Sequence, residues 1–206
     1  EQMAAFDPTA FAGFDQSQVA AFDPNAVKGL GKEQMAAFDP TAVAAFDATH
    51  VAAFDPTAVA GFDQNQIAAF DPTAVAAFDQ TQIAAFAPTA VAGFDQNHVA
   101  EFDPTVMEGF MPTHVAAFKP EAMAGFKGTQ LKELDPESFA ALTPDQAAKM
   151  APDAAAAFNN WVLPNDDIIR WEGGLRGPDG DWMSADSFFD KRTTGDKPAS
   201  TSVWTP

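Results

Sequence analysis

A large apolar residue recurs at every eighth position, without insertion or deletion, from Phe6, Phe14, Phe22, Leu30 and Phe38 through Phe126, Leu134, Leu142 and Met150 to Phe158. A second apolar series runs three residues ahead of these anchors, at Met3, Phe11, Val19, Val27, Met35, Val43 and onward to Phe139. Residues at i and i+3 share a helix face, so each octad carries a helical stripe. One continuous helix is excluded. Eight residues at about 100° each leave the stripe roughly 80° out of register per repeat, and Pro recurs inside the pattern. The helix must restart in every octad, and a repeat this strict is an architecture before it is a function.

The restarts are written into the residue after each anchor. Asp7, Asp15, Asp23, Asp39, Asp47, Asp55, Asp63, Asp71, Asp79, Asp95, Asp103 and Asp135 all stand there. Asp is a preferred N-cap, and the Pro that often follows it (Pro8, Pro24, Pro40, Pro56, Pro72) suits the first helical position. Counted from such a cap, the anchor is N′ and the Val or Ile four residues on is N4, the pair that forms a hydrophobic staple. Each octad thus predicts a capped helix of roughly two turns, too short to persist unless packed on its neighbours.

A sixteen-residue alternation lies over the octads. Pro8, Pro24, Pro40, Pro56, Pro72, Pro88, Pro104, Pro120, Pro136 and Pro152 mark one class, while Gln16, Lys32, Ala48, Gln64, Gln80 and Gln96 hold that place in the other. The second class has Gln18, Gln66 and Gln82 at N3, completing an Asp-x-x-Gln capping box with Asp15, Asp63 and Asp79. Glycine beside the anchor (Gly13, Gly29, Gly61, Gly93, Gly109, Gly125) keeps to one class and marks where backbones approach closely. These features predict an all-α fold over residues 1–158. It is a solenoid of short capped helices whose 8-residue repeats pair into 16-residue coils, with no need of a central core. Ten such coils make a rod roughly 80 to 100 Å long at normal helix spacing. Residues 159–206 form an irregular C-terminal extension.

Charge and composition narrow the partners. The formal net charge is -18, and no Lys or Arg occurs between Glu33 and Phe118. Such a field repels nucleic acid and anionic lipid and leaves cations or basic protein surfaces. Most of these carboxylates are expected to be spent as N-caps. Calcium needs six or more converging oxygens, which single carboxylates at coil spacing do not supply, so a weak divalent-cation association is the most they predict. Cysteine is absent, which removes disulfides and thiol metal sites, and no run approaches a membrane span.

His50, His98 and His114 would be candidate metal ligands by residue type. All three fall at the N3 position filled elsewhere by Gln18, Gln34, Gln66, Gln82 and Gln130, so they are expected to substitute for a capping Gln. The Thr row at Thr41, Thr57, Thr73, Thr89 and Thr105 invites an ice-binding reading, but these Thr are ordinary in a first helical turn, and Asn25 and Glu121 break the row. The extension differs in grammar. It holds all four tryptophans, Trp161, Trp171, Trp182 and Trp204, and all the arginines, Arg170, Arg176 and Arg192. The tryptophans are the candidate partner contacts. Asp179, Asp181 and Asp186 lie beside a Pro-Asp-Gly run that is first a turn signal.

The octads Phe-Asp-Pro-Thr-Ala-Val-Ala-Ala, and Leu-Thr-Pro-Asp-Gln-Ala-Ala at Leu142 to Ala148, resemble the Leu-Thr-x-x-Gln-Val/Ile-Ala-Ala tandem repeats of large bacterial surface and secreted proteins. The resemblance covers about residues 1 to 158 and none of the extension, with Phe in place of the usual Leu and Asp in place of Thr. It implies an extracellular or cell-surface spacer and carries over no functional residue. No nucleophile elbow, P-loop, dinucleotide fingerprint or His pair at metal spacing is present, so no catalytic, cofactor-binding or metal residue is assigned and no enzyme is expected. The expected function is a structural repeat segment, a spacer or scaffold contacting other subunits. The alternative is an acidic, cation-dependent adhesin, with ice binding a distant third. The chain opens at Glu1 in mid-octad, and solenoids need polar end caps, so it is expected to belong to a longer polypeptide or to be covered by a partner there.

Overall fold

A computed structural model describes residues 3–159, and among these every element is helical. The short capped helices appear octad by octad. In the Pro class the helix is a single turn, as in Pro40–Val43, Pro56–Val59, Pro72–Val75 and Pro88–Val91, or a 3-10 helix, as in Pro8–Gly13, Pro104–Gly109 and Pro120–Gly125. In the other class it reaches six residues in Gln64–Ala69, Gln80–Ala85 and Gln96–Glu101. The Asp39 carboxylate accepts from the Thr41 N–H at 2.8 Å and the Thr41 hydroxyl at 2.7 Å, and Asp55–Thr57 and Asp71–Thr73 repeat the arrangement. Capping boxes close at Asp15/Gln18, Asp63/Gln66 and Asp79/Gln82. The six-residue helices stop where the anchor leaves helical geometry, as Phe70 does at φ -60° and ψ 146°, whereas the single-turn helices end before it, as Pro40–Val43 does at Ala44.

The coil closes over more residues than the sixteen-residue pairing predicts. Helices pack on those three octads before and after them: Pro40–Val43 on Gln64–Ala69, Pro56–Val59 on Gln80–Ala85, Pro72–Val75 on Gln96–Glu101. The Gln66 amide reaches back to the carbonyls of Met35 and Phe38, 31 and 28 residues earlier. Gly93 lies so close to Gln64, 29 positions earlier in the chain, that a Cβ on it would overlap the Gln64 carbonyl oxygen. One superhelical turn therefore takes about 28 residues, or three and a half octads. The sixteen-residue period survives as the alternation of two helix types along the chain, but it is not a turn.

The anchors explain the wider coil. Successive Phe rings from Phe38 to Phe126 touch with centroids 5.1 to 5.8 Å apart, mostly edge to face. That geometry suits the ring quadrupole. Rings also meet between turns, as Phe94 and Phe118 do at 6.4 Å. Two octads enclose no interior wide enough for such a spine, whereas three to four do. Every anchor from Leu30 to Leu142 is at most 4% exposed, and the Val, Ile and Met series beside them is buried with them in one cluster. The solenoid is thus a filled tube with a continuous core, contrary to the coreless stack expected from the repeat alone.

Two consequences follow for shape. The described residues make between five and six turns rather than ten coils, roughly 45 to 55 Å at normal helix spacing, which shortens the expected rod by almost half. Each octad also advances about 100° around the tube axis, so the Asp caps and Thr hydroxyls surround the tube and do not form one flat edge. Phe70→Ala should cost about 3 to 5 kcal/mol, because it opens a cavity between Phe62 and Phe78 that the fixed turn cannot collapse into. Denaturant melts of the two proteins check this.

Candidate functional site

The most constrained polar position in the tube is the N3 residue of the second class of octads, which carry no Pro at N1 except at Pro112 and Pro144. In Gln66 the side-chain oxygen accepts from the Asp63 N–H at 2.9 Å, closing the capping box on its own helix. Its amide nitrogen spends both protons on the preceding turn, at 2.9 Å to the Met35 carbonyl and 2.7 Å to that of Phe38. Gln82 does the same toward Val51 and Phe54, Gln130 toward Val99 and Phe102, and Gln146 toward Val115 and Phe118. Gln34 joins Met3 and Phe6 to the second turn. The Asp side chain completes the box by accepting from the Gln66 N–H. Where the cap is Gly31, Met111 or Lys127, only the bond donated by the cap N–H to the N3 side chain remains.

His50, His98 and His114 occupy this position as expected. Nε2 donates at 2.9 Å to the carbonyls of Phe22, Phe70 and Phe86, and Nδ1 faces the cap N–H of Asp47, Asp95 and Met111. In His50 and His98 Nδ1 also lies 2.8 and 2.9 Å from the carboxylates of Asp47 and Asp95, whereas in His114, capped by Met111, it meets the cap N–H alone. An imidazole thus reproduces the Gln pattern toward the preceding turn with one donor fewer. The carbonyl that loses its side-chain partner, Val19, Ile67 or Ile83, keeps the N–H of the following anchor at 3.0 to 3.3 Å. These nitrogens face backbone groups and, in His50 and His98, the cap carboxylate, and among the described residues no group of three or more His, Cys, Asp or Glu could hold a metal ion.

The interlayer role of this row is what the sequence reading missed, since a capping box explains only half of the side chain. The signal was present in which residues are allowed. A box alone accepts Glu as readily as Gln, yet the position holds only Gln (18, 34, 66, 82, 130, 146) and His (50, 98, 114) in a chain rich in acids. Both carry an acceptor at one end and a donor at the other. Glu lacks the donor.

The Asp caps are charged and self-contained. Hydrogen bonds from the Thr hydroxyl first, then the Thr N–H, hold the carboxyls of Asp7, Asp39, Asp55, Asp71 and Asp103 below the usual carboxylate range. Asp47, bonded by the Thr49 hydroxyl and the His50 N–H, falls to about 2. A carboxylate lowered in the fold stabilises above its unfolded value of 3.8 and loses that contribution as pH falls toward 2. Lys127 replaces the Asp at one cap and donates across the turn to the Ala100 carbonyl at 2.6 Å. The Thr residues are thus cap partners and stand around the tube. Trp161, Trp171, Trp182 and Trp204, with Asp179, Asp181 and Asp186, lie outside the described residues. Compared with known protein families, with curated proteins and with solved structures, the chain matches none.

Three substitutions test this row. Gln82→Leu removes one acceptor and two donors of a buried side chain and leaves buried backbone groups short of partners, at an expected cost of about 2 to 4 kcal/mol. His98→Gln restores a donor toward Ile67 and should be neutral or slightly stabilising. His114 carries the pH dependence: burial lowers its pKa below 6.5 against the opposing bonds to Phe86 and Gly109, and Met111 stands where other caps offer a carboxylate. Its unfolded state takes up a proton first, so stability from this group is level above pH 6.5 and declines as pH falls below it. Chemical denaturation at stepped pH should show a shallower decline below pH 6.5 in His114→Gln than in the wild type.

Proposed function

We propose that the chain is a structural repeat segment, a spacer or scaffold whose outer surface and Trp-bearing extension contact other proteins. The observation that carries the reading is the filled interior. The anchors occupy the lumen, and the buried Gln and His side chains are spent on backbone of the neighbouring turn. What reaches solvent is a helically wound set of Asp–Thr caps whose hydrogen bonds are already made within the cap. A tube of this kind sets a distance and a stiffness and offers a broad acidic exterior, suited to basic protein surfaces. The octads resemble those of bacterial surface and secreted proteins, and on that resemblance we place the chain outside the cell. No helix among the described residues is long and apolar enough to cross a membrane.

The adhesin alternative makes a different calorimetric prediction. A spacer titrated with calcium shows weak, non-saturating heats that vanish in moderate salt, because its carboxylates lie dispersed around the tube. Saturable, stoichiometric heats that persist in salt would overturn the spacer reading in favour of a cation site.

A further inference from the structure

Among the described residues histidine makes three of the joints between turns, and one of them is built differently. His50, His98 and His114 are all buried, and each donates from Nε2 to a carbonyl 28 residues earlier. His50 has Asp47 as its cap and Asp23 after its acceptor Phe22, and His98 has Asp95 as its cap and Asp71 after its acceptor Phe70. At His114 both acidic positions are lost, since the cap is Met111 and the residue after Phe86 is Ala87. Ala87 is also the one Pro-class cap from Asp7 to Asp103 that is not Asp. Two replacements in different octads thus fall on either side of a single joint.

The difference decides what an added proton does. A protonated imidazole donates from both nitrogens. In His50 and His98 the new Nδ1–H has an acceptor in place, the carboxylates of Asp47 and Asp95 at 2.8 and 2.9 Å, and the Nε2 bond to the preceding turn is kept. Asp71 also lies near enough to His98 for the two charges to attract. In His114 the new proton is aimed at the Met111 N–H, donor against donor. The ionisable side chains on the elements around this ring are Asp79, Glu108, Lys119, Asp135, Glu137 and Asp145, and none of them forms an ion pair with it. Burial disfavours the charged ring and outweighs the backbone acceptors at Phe86 and Gly109.

We propose that mild acid opens this joint selectively, the turn carrying His114 parting locally from Phe86 while the joints at His50 and His98 stay closed. The neighbouring joints limit the opening, because Gln130 and Gln146 tie the next turn down through amides that do not titrate. Acid thereby makes a hinge of one place in a stiff tube. The open state takes up the proton at the ordinary value of 6.5 and the closed state only at lower pH, so opening grows as pH falls through 6.5. This joint follows from the fold alone and is independent of the spacer role.

Hydrogen exchange of the full chain tests the proposal, read peptide by peptide from about pH 7.5 to about pH 5.5 and corrected for the intrinsic pH dependence of exchange. Protection across residues 110–118 should fall several-fold, at most about tenfold per pH unit, while that across 46–54 and 94–102 should hold. Met111→Asp supplies the carboxylate that Asp47 and Asp95 provide elsewhere, and should abolish the fall. His114→Gln, which installs the residue found at the other joints, should abolish it too. Met111→Asn restores a capping side chain without charge, and should raise protection at every pH while leaving most of the fall in place. Equal loss of protection in all three histidine octads, no loss in any of them, or a fall that persists in His114→Gln overturns the proposal. So does a fall that Met111→Asn cancels as fully as Met111→Asp.

Discussion

A buried side chain with an acceptor at one end and a donor at the other ties each turn of this molecule to the next. Short capped helices have little stability of their own, and stacking alone leaves the register between turns free to slide. The Gln66 amide removes that freedom, since its oxygen is fixed by its own cap while its nitrogen must meet two carbonyls three residues apart on the turn below. Each bond contributes only about 1 kcal/mol net, but a slipped register would strand three buried polar groups at once, at about 1 to 3 kcal/mol apiece. Register is therefore specified more by the cost of the wrong alignment than by the gain of the right one. The Phe spine supplies the complementary term, a large apolar burial that favours any closed turn and that the Gln and His row makes specific.

The local structure was legible because its determinants are local. Asp7 to Asp103 as caps, Pro40 and Pro56 at first helical positions, and Gln66 and Gln82 in capping boxes depend on residues at most three apart, and the helices form where those signals place them. The replacement of Gln by His98 and His114 was legible for the same reason. The number of octads per turn was not, because nothing within an octad says which later octad it meets. The sixteen-residue alternation of Pro40 and Gln64 types offered a period, and that period belongs to helix type rather than to closure. The volume of the anchors held the missing information: Phe at nearly every eighth residue needs a lumen that a two-helix coil does not have. The restriction of one position to Gln and His held it too, since that pair of residue types points to a donor's target outside the octad.

The same geometry decides what the exterior can be. Because the cap positions wind about the tube, neither the carboxylates nor the Thr hydroxyls form a flat array, and this weighs against both a lattice-matching surface and a converging cation cage. What remains is an acidic cylinder whose middle stretch, from Glu33 to Phe118, contains no Lys or Arg. The cap pattern is broken on this cylinder at Met111, 44% exposed, and at Lys119 and Lys127, which stand in place of Asp.

The central claim is that a turn takes about 28 residues and encloses a filled core. The absence of cysteine makes it directly measurable, since spin labels can be attached at chosen pairs without background. Gln80 and Glu108, 28 apart, touch side chain to side chain at 3.4 Å, whereas Gln80 and Gln96 lie 16 apart, on opposite sides of a 28-residue turn. Nitroxides at 80 and 108 should couple strongly, at about 10 Å, and those at 80 and 96 should be separated by roughly 20 Å or more, the width of two packed helices. The reverse order, with 80 and 96 the closer pair, would restore the two-helix coil and contradict the tube.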